Sequence, residues 1–279
     1  MLILNALKAD GASRPFLKWA GGKAKLASFI APHLPQKGRL VEPFVGSAAL
    51  SLALEFDAYW FNDINADLMG VYHCLKQQKG EFIAYAQSFF TGNNTETAYY
   101  ELRERFNGSD DPFERSALFI YLNRHGFNGL CRYNAKGGFN VPFGRYKAPM
   151  FPLEQMTAFI AKSDRVELSC LPYQDVLTQV SAHDAVYCDP PYVALSQTAS
   201  FTAYAKGGFG TDEQEGLATL AKSASHTAQT VLISNHDTPY TRQLYQGAVI
   251  YSTAVRRNIS AKGSSRKMVD ELLAVYQKG

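Results

Sequence analysis

Residues 39–63 constrain the fold more tightly than any other stretch of this chain. Arg-Leu-Val-Glu-Pro-Phe-Val (39–45) reads as a buried strand that breaks at Gly46-Ser47. The Ala-Ala-Leu-Ser-Leu-Ala-Leu-Glu run that follows is strongly helical, and Asp-Ala-Tyr-Trp-Phe-Asn-Asp (57–63) reads as a second strand ending in an acid. Strand, glycine turn, helix, strand, acid is the opening of a Rossmann-like α/β sheet. Residues 184–188, 230–234, 247–253 and 271–276 supply further apolar, partly β-branched strands. Between the second strand and Asp184 the character changes. Residues 66–125 read as helical with few turn breakers, whereas Gly126 to Pro149 holds five glycines, two prolines and three asparagines among aromatics. That is loop and hairpin chemistry, so an insert of about 80 residues interrupts the sheet.

At 279 residues, 46% hydrophobic and 19% charged, the composition is that of a globular chain and excludes a mainly disordered protein, a collagen or a coiled coil. No apolar run reaches the roughly 18 residues needed to span a bilayer, and the first residues lack a charged segment and an apolar run of signal-peptide length. A cytoplasmic protein is expected, without membrane contact. Cys74, Cys131, Cys170 and Cys188 show no CxxC or Cys/His ligand spacing, so reduced, mostly buried thiols are expected, with no metal site.

The net charge of +3 hides an asymmetry. From Arg115 to Leu153 there are six basic residues and no acid, and from Ala254 to Val269 there are five more, again with no acid. Without those 11, the remaining 17 basic residues face all 25 acidic ones, a balance of −8. Two basic segments on an acidic body suit a polyanion-binding surface, although basic loops that merely solvate a face give the same pattern.

Asp189-Pro190-Pro191-Tyr192 follows directly from the strand 184–188. Two prolines cannot continue a central strand, so the chain turns outward at the carboxyl edge of the sheet, where open α/β sheets hold ligands. A carboxylate, the Pro190 carbonyl and an aromatic ring converging there suit a planar group with an exocyclic amine. Each acceptor takes one N–H, the nitrogen is drawn toward sp³, and its lone pair is released for attack. The Gly46 turn and Asp63 form a cofactor half, with the acid placed for ribose hydroxyls. No GxGxxG series is present to cradle a pyrophosphate, which favours a nucleoside over NAD. Paired glycines before Lys23 lack the spacing of an ATP loop.

These motifs, with FLKWAGGK (16–23), VEPFVGS (41–47), Asp63-Ile-Asn65, the run YLNRHGFNGLCRYNAKGGFNVPFGRYK (121–147), VYCDPPY (186–192), LISNHD (232–237), VRRNIS and DELLAVY, resemble the Dam family of DNA adenine-N6 methyltransferases over most of the chain. The resemblance implies a methyltransferase sheet in residues 13–65 and 153–279, a DNA target-recognition insert in 66–152, and a disordered tail in 1–12. It implies S-adenosylmethionine as methyl donor, with S-adenosylhomocysteine as product, contacted by Trp19, Lys23, Gly46, Asp63, Tyr173 and Asp189. Asp189, Pro190 and Tyr192 would be catalytic, holding a flipped adenine of GATC for direct displacement. On double-stranded DNA, Arg132 would read the first guanine, with Leu130 and Pro142 against thymine methyls. Arg124, Phe127, Asn128 and Tyr146 would share the recognition face, and Arg145 and Lys147 would grip phosphates. The enzyme is expected to act as a monomer, or as a dimer on DNA.

The chain departs from the family at Ala48, where relatives carry a second glycine, a change expected to weaken cofactor binding. It departs again at Phe127, where many carry Tyr. Arg124 could equally be a structural ion pair, His125, His183 and His236 read as packed or capping residues, and Cys188 reads as core. The rival readings are an N4-cytosine methyltransferase, a silent sequence-specific DNA-binding protein and, more distantly, an NAD-dependent oxidoreductase.

Overall fold

The computed structural model describes residues 14–193, 209–256 and 268–278. The expected tail (1–12) and four members of the second basic window (Arg257, Lys262, Arg266, Lys267) lie outside them. The elements run α1 (Ala27–Ile30), β1 (Arg39–Glu42), α2 (Ala49–Ala53), β2 (Ala58–Asn62), α3 (Ala66–Ser88), α4 (Glu96–Gly108), α5 (Pro112–His125), α6 (Leu153–Lys162), β3 (Val166–Ser169), α7 (Tyr173–Leu177), β4 (Asp184–Cys188), α8 (Thr211–Ala224), β5 (Thr230–His236), α9 (Pro239–Leu244), β6 (Val249–Arg256) and β7 (Met268–Gln277). The strands form a seven-stranded sheet in the order β3-β2-β1-β4-β5-β7-β6, as the Rossmann-like reading requires. β3 to β5 pair in parallel, and β7 runs antiparallel between β5 and β6.

Alternation along each strand divides the core into two layers. Leu40, Tyr59, Phe61, Tyr187 and Leu232 face one side, Val41, Trp60, Val186, Cys188 and Val231 the other. The second face is covered by Tyr173 and Val176 of α7 and by Leu217 and Ala221 of α8. The first continues without a break through Tyr72 and Phe82 of α3 and Phe159 of α6 into Phe106, Phe119 and Phe139 of the insert.

β1 stops at Glu42 instead of running to Val45, because Pro43 offers no amide to the ladder. The helical stretch 66–125 is three helices, not one. Thr95 accepts from Ala98 N and Asp111 from Phe113 N, so each break carries its own N-cap, with Pro112 opening α5. β3 was not foreseen: Val-Glu-Leu-Ser offers two apolar residues in four and no flanking glycine or proline. Buried Asn62 then ties the carboxyl ends of three strands together. It donates to the Pro43 and Leu171 carbonyls at 3.0 Å each and accepts from Leu171 N (2.9 Å) and Ser169 Oγ (2.8 Å). Asp63 is thereby fixed at the rim.

Candidate active site

Asp63 leaves β2 and folds back on the first turn. Its Oδ2 accepts the Gly46 N–H (3.1 Å) and its Oδ1 the Asn65 N–H (3.0 Å). Burial pushes its pKa up to about 6, against the lowering effect of those amides. Gly46 has φ 49°, and a Cβ there would lie 2.8 Å from Trp19 Nε1. The residue must be glycine because the indole closes over the turn. Ala48 also sits in the left-handed region (φ 53°) with its methyl buried, a conformation glycine would adopt without strain. Nearby, Tyr173 at the start of α7 packs with Phe44 and Phe209 at centroid separations of 5.3 and 5.7 Å.

The second turn leaves β4 at Asp189. Lys23, 5% exposed, places Nζ 2.9 Å from Asp189 Oδ1, donates to the Gly21 carbonyl (2.6 Å) and lies 4.6 Å from the Tyr192 ring centroid. Burial raises the Asp189 pKa and the Lys23 ammonium pulls it back. Pro190 is buried beside it. Tyr192 Oη donates to Glu271 Oε2 at 3.1 Å, and its ring meets His236 edge-on at 4.9 Å. Trp19, Lys23, Gly46, Asp63, Tyr173, Asp189, Pro190 and Tyr192 thus gather along one carboxyl edge. The arrangement offers two oxygen acceptors and an aromatic face next to a glycine turn and a half-buried carboxylate. Among the described residues, no cluster of three or more His, Cys, Asp or Glu could hold a metal ion.

The insert carries the other expected residues on a hairpin bridged at Gly126↔Phe143 and Tyr133↔Phe139. Phe127 is 47% exposed. Arg132 donates through Nε to Asn140 Oδ1 (2.7 Å) and through Nη2 to the Asn140 carbonyl (3.1 Å). Leu130 is half-buried, while Asn128, Pro142 and Lys147 are exposed. Asn128 N donates to Tyr146 Oη at 2.9 Å, and Arg145 pairs with Glu96 at 3.1 Å. Arg124, half-buried, donates through Nε to the Met150 carbonyl (3.1 Å). Lys18 was not singled out in the sequence, yet it joins this face. Its Nζ lies 3.9 Å from the Tyr146 ring and donates to the Arg124 carbonyl (3.1 Å), with Gly129 packed so closely that a Cβ there would overlap Lys18. Burial, then the Arg124 charge, lowers its pKa.

Of the histidines, His125 is buried and stacked on Tyr121, its pKa pushed down to about 4 by burial, and His183 is exposed. His236 is packed, as expected: it is buried and meets the Tyr192 ring edge-on. Cys188 is buried, and burial raises its thiol pKa, as expected of core. Glu271, Gln214 and Asn235 also reach this edge without having been foreseen; LISNHD and DELLAVY, which contain Asn235 and Glu271, carried the only signal.

Residues 19–259 match the family of D12 class N6 adenine-specific DNA methyltransferases. The chain is 48% identical over 268 residues to a DNA adenine methylase of Salmonella typhi, covering 96% of each chain. It is 48% identical over 265 residues to one of Vibrio cholerae serotype O1, covering 94% of this chain and 96% of that protein. It is 47% identical over 268 residues to one of Escherichia coli K12, again covering 96% of each.

Proposed function

This chain belongs to the D12 class of N6 adenine-specific DNA methyltransferases, and from that premise we propose that it methylates adenine in duplex 5′-GATC-3′, using S-adenosylmethionine, by base flipping. That it is an adenine-specific DNA methyltransferase follows from the family and its methylase relatives. The site and the cofactor are our reading. One observation carries it: Asp189, Pro190 and Tyr192 stand on the same sheet edge as the Gly46–Asp63 turn, so a nucleoside and a flipped base can lie side by side.

The residues fit the donor. Gly46 turns the chain beneath the Trp19 indole, Asp63 presents a carboxylate for ribose hydroxyls, and the Phe44–Tyr173–Phe209 cluster offers an apolar wall for an adenine ring. Trp19, Lys23, Gly46, Asp63, Tyr173 and Asp189 would hold S-adenosylmethionine, which supplies an activated methyl group on a sulfonium. Tyr192 stacks on the extruded adenine. Flipping costs a few kcal/mol, and aromatic stacking of about 1–3 kcal/mol per base offsets much of it. Asp189 and the Pro190 carbonyl accept the two amine hydrogens, which localises the nitrogen lone pair toward the methyl group. After transfer the amine's proton leaves to Asp189 or to water, and burial favours Asp189 as its receiver.

On the insert, Arg132 reads a guanine, Leu130 and Pro142 face thymine methyls, Arg124, Phe127, Asn128 and Tyr146 shape the recognition face, and Arg145 and Lys147 track the backbone. The enzyme makes these contacts as a monomer or as a dimer on DNA. The test is transfer of a labelled methyl group to a duplex with one GATC, beside a duplex with that site scrambled. Label confined to the GATC duplex and recovered as N6-methyladenine is the expected result. Equal incorporation in both would retain the chemistry and discard the recognition reading, and tight binding without incorporation in either would point to a silent DNA-binding protein.

A further inference from the structure

Tyr192 is flanked by two backbone groups that the sheet interior holds through a single chain of amides. The Val193 N–H donates to Asn235 Oδ1 (3.1 Å), Asn235 Nδ2 donates to Gln214 Oε1 (3.0 Å), and Gln214 Nε2 donates to the Pro191 carbonyl (2.7 Å). The ends of this chain fix its direction. A peptide N–H can only donate and a peptide carbonyl can only accept, so each amide has one orientation that satisfies both neighbours. The remaining capacity of Asn235 is also used: Oδ1 accepts the His236 N–H (2.9 Å) and Nδ2 donates to Tyr245 Oη (2.9 Å). Asn235 is 0% exposed and Gln214 2%, so a missing partner could not be replaced by bulk water.

Neither side chain touches the acceptors of the adenine amine. Gln214 sits on α8 and Asn235 on β5, behind the turn. What they hold is the peptide on each side of Tyr192, while Glu271 holds its hydroxyl and His236 Nδ1 lies 2.7 Å from the Val193 carbonyl. The tyrosine ring is therefore set from three directions, and the Pro190–Pro191 segment cannot shift without breaking the Gln214 bond. We propose that Gln214 and Asn235 are positioning residues for methyl transfer: the amide chain sets the tilt of Tyr192 and the aim of the Pro190 carbonyl, and with them the angle at which the adenine amine meets the methyl group. The inference rests on the reading that Asp189, Pro190 and Tyr192 hold the target adenine.

Gln214→Glu keeps the shape and replaces the donor facing Pro191 with an acceptor. Its single-turnover rate constant should fall about tenfold or more, while the dissociation constants for S-adenosylmethionine and for GATC duplex stay within about threefold of wild type, because small misplacements cost rate before affinity. A folded variant whose rate stays within about threefold overturns the inference. So does a rate loss matched by an equal loss of cofactor affinity, which would assign Gln214 to the cofactor half. If Gln214→Glu does not fold, Gln214→Met, which fills the same volume without a donor, carries the same measurement. Asp189→Ala, which removes the acceptor, is assayed alongside. Retention of its activity would sink the underlying reading, whereas an inactive Asp189→Ala with an unaffected Gln214 variant would sink the amide chain alone.

Discussion

The carboxyl edge of the sheet and the hairpin of the insert both carry the expected functional residues, but they hold them in opposite ways. At the sheet edge the two carboxylates and the phenol have partners inside the protein: Asp63 accepts from two amides, Asp189 pairs with Lys23 and Tyr192 donates a hydrogen bond to Glu271. On the hairpin Phe127, Arg132, Arg145 and Lys147 are exposed and restrained by at most one or two contacts. Displacing a methyl group demands sub-ångström aim, which rigid surroundings provide. Reading a base tolerates side chains that settle when the duplex arrives. On the proposed reading, chemistry is organised before binding and recognition during it.

Four measurements bear on this contrast, the first on its rigid side. Asp189→Ala should lower methyl transfer by on the order of 10³-fold, the scale of removing a preorganised polar group from a reacting centre. Binding to GATC duplex should persist, and transfer within about tenfold of wild type would show that the edge is not where the amine sits. The cofactor half should titrate. With Asp63 at about 6 in the folded protein against 3.8 in an unfolded chain, this group favours the folded state at low pH and gives up that stability as pH rises from 3.8 to 6. Ligand binding has the opposite sign, because ribose needs the carboxylate. Affinity for S-adenosylmethionine should be flat above about pH 6 and fall up to tenfold per unit below it, and Asp63→Asn should remove that slope. Calorimetry from pH 5 to 8 decides the matter.

The hairpin should respond more mildly. Arg132→Ala should cost about 1–3 kcal/mol at the guanine and relax selectivity there. A uniform loss across all duplexes would make Arg132 a phosphate contact. Arg145→Ala should do the least. Its pair with Glu96 is 74% and 50% exposed, so melting should change by less than about 1 kcal/mol. Affinity should drop equally for all sequences, with the salt slope smaller by about 1.

Six of the seven strands were legible because each is a run of β-branched or aromatic residues punctuated by glycine, proline or acid. β3 was not, because its four residues carry too little pattern to separate a strand from a loop. Asp63, Asp189 and Tyr192 were readable from their places at strand ends. The pairing of Lys23 with Asp189 was not, since nothing in FLKWAGGK says which strand end its lysine will meet. The roles of Gln214 and Asn235 were equally silent: a buried amide on a helix or in an apolar strand shows its purpose only when its partners are placed.

The unbroken apolar layer from Leu40 and Phe61 through Tyr72 to Phe106 and Phe139 has a consequence for how such an enzyme can change. An insert with its own core could be exchanged between relatives like a tool head. This one shares its interior with the sheet, and cutting it out would remove Tyr72 and Phe82 from the layer that includes Leu40, Tyr59 and Tyr187. On the proposed reading that residues 127–147 recognise the DNA, new specificity would arise by substitution along their solvent side, one side chain at a time, while the helices beneath stay as fixed as the sheet they cover.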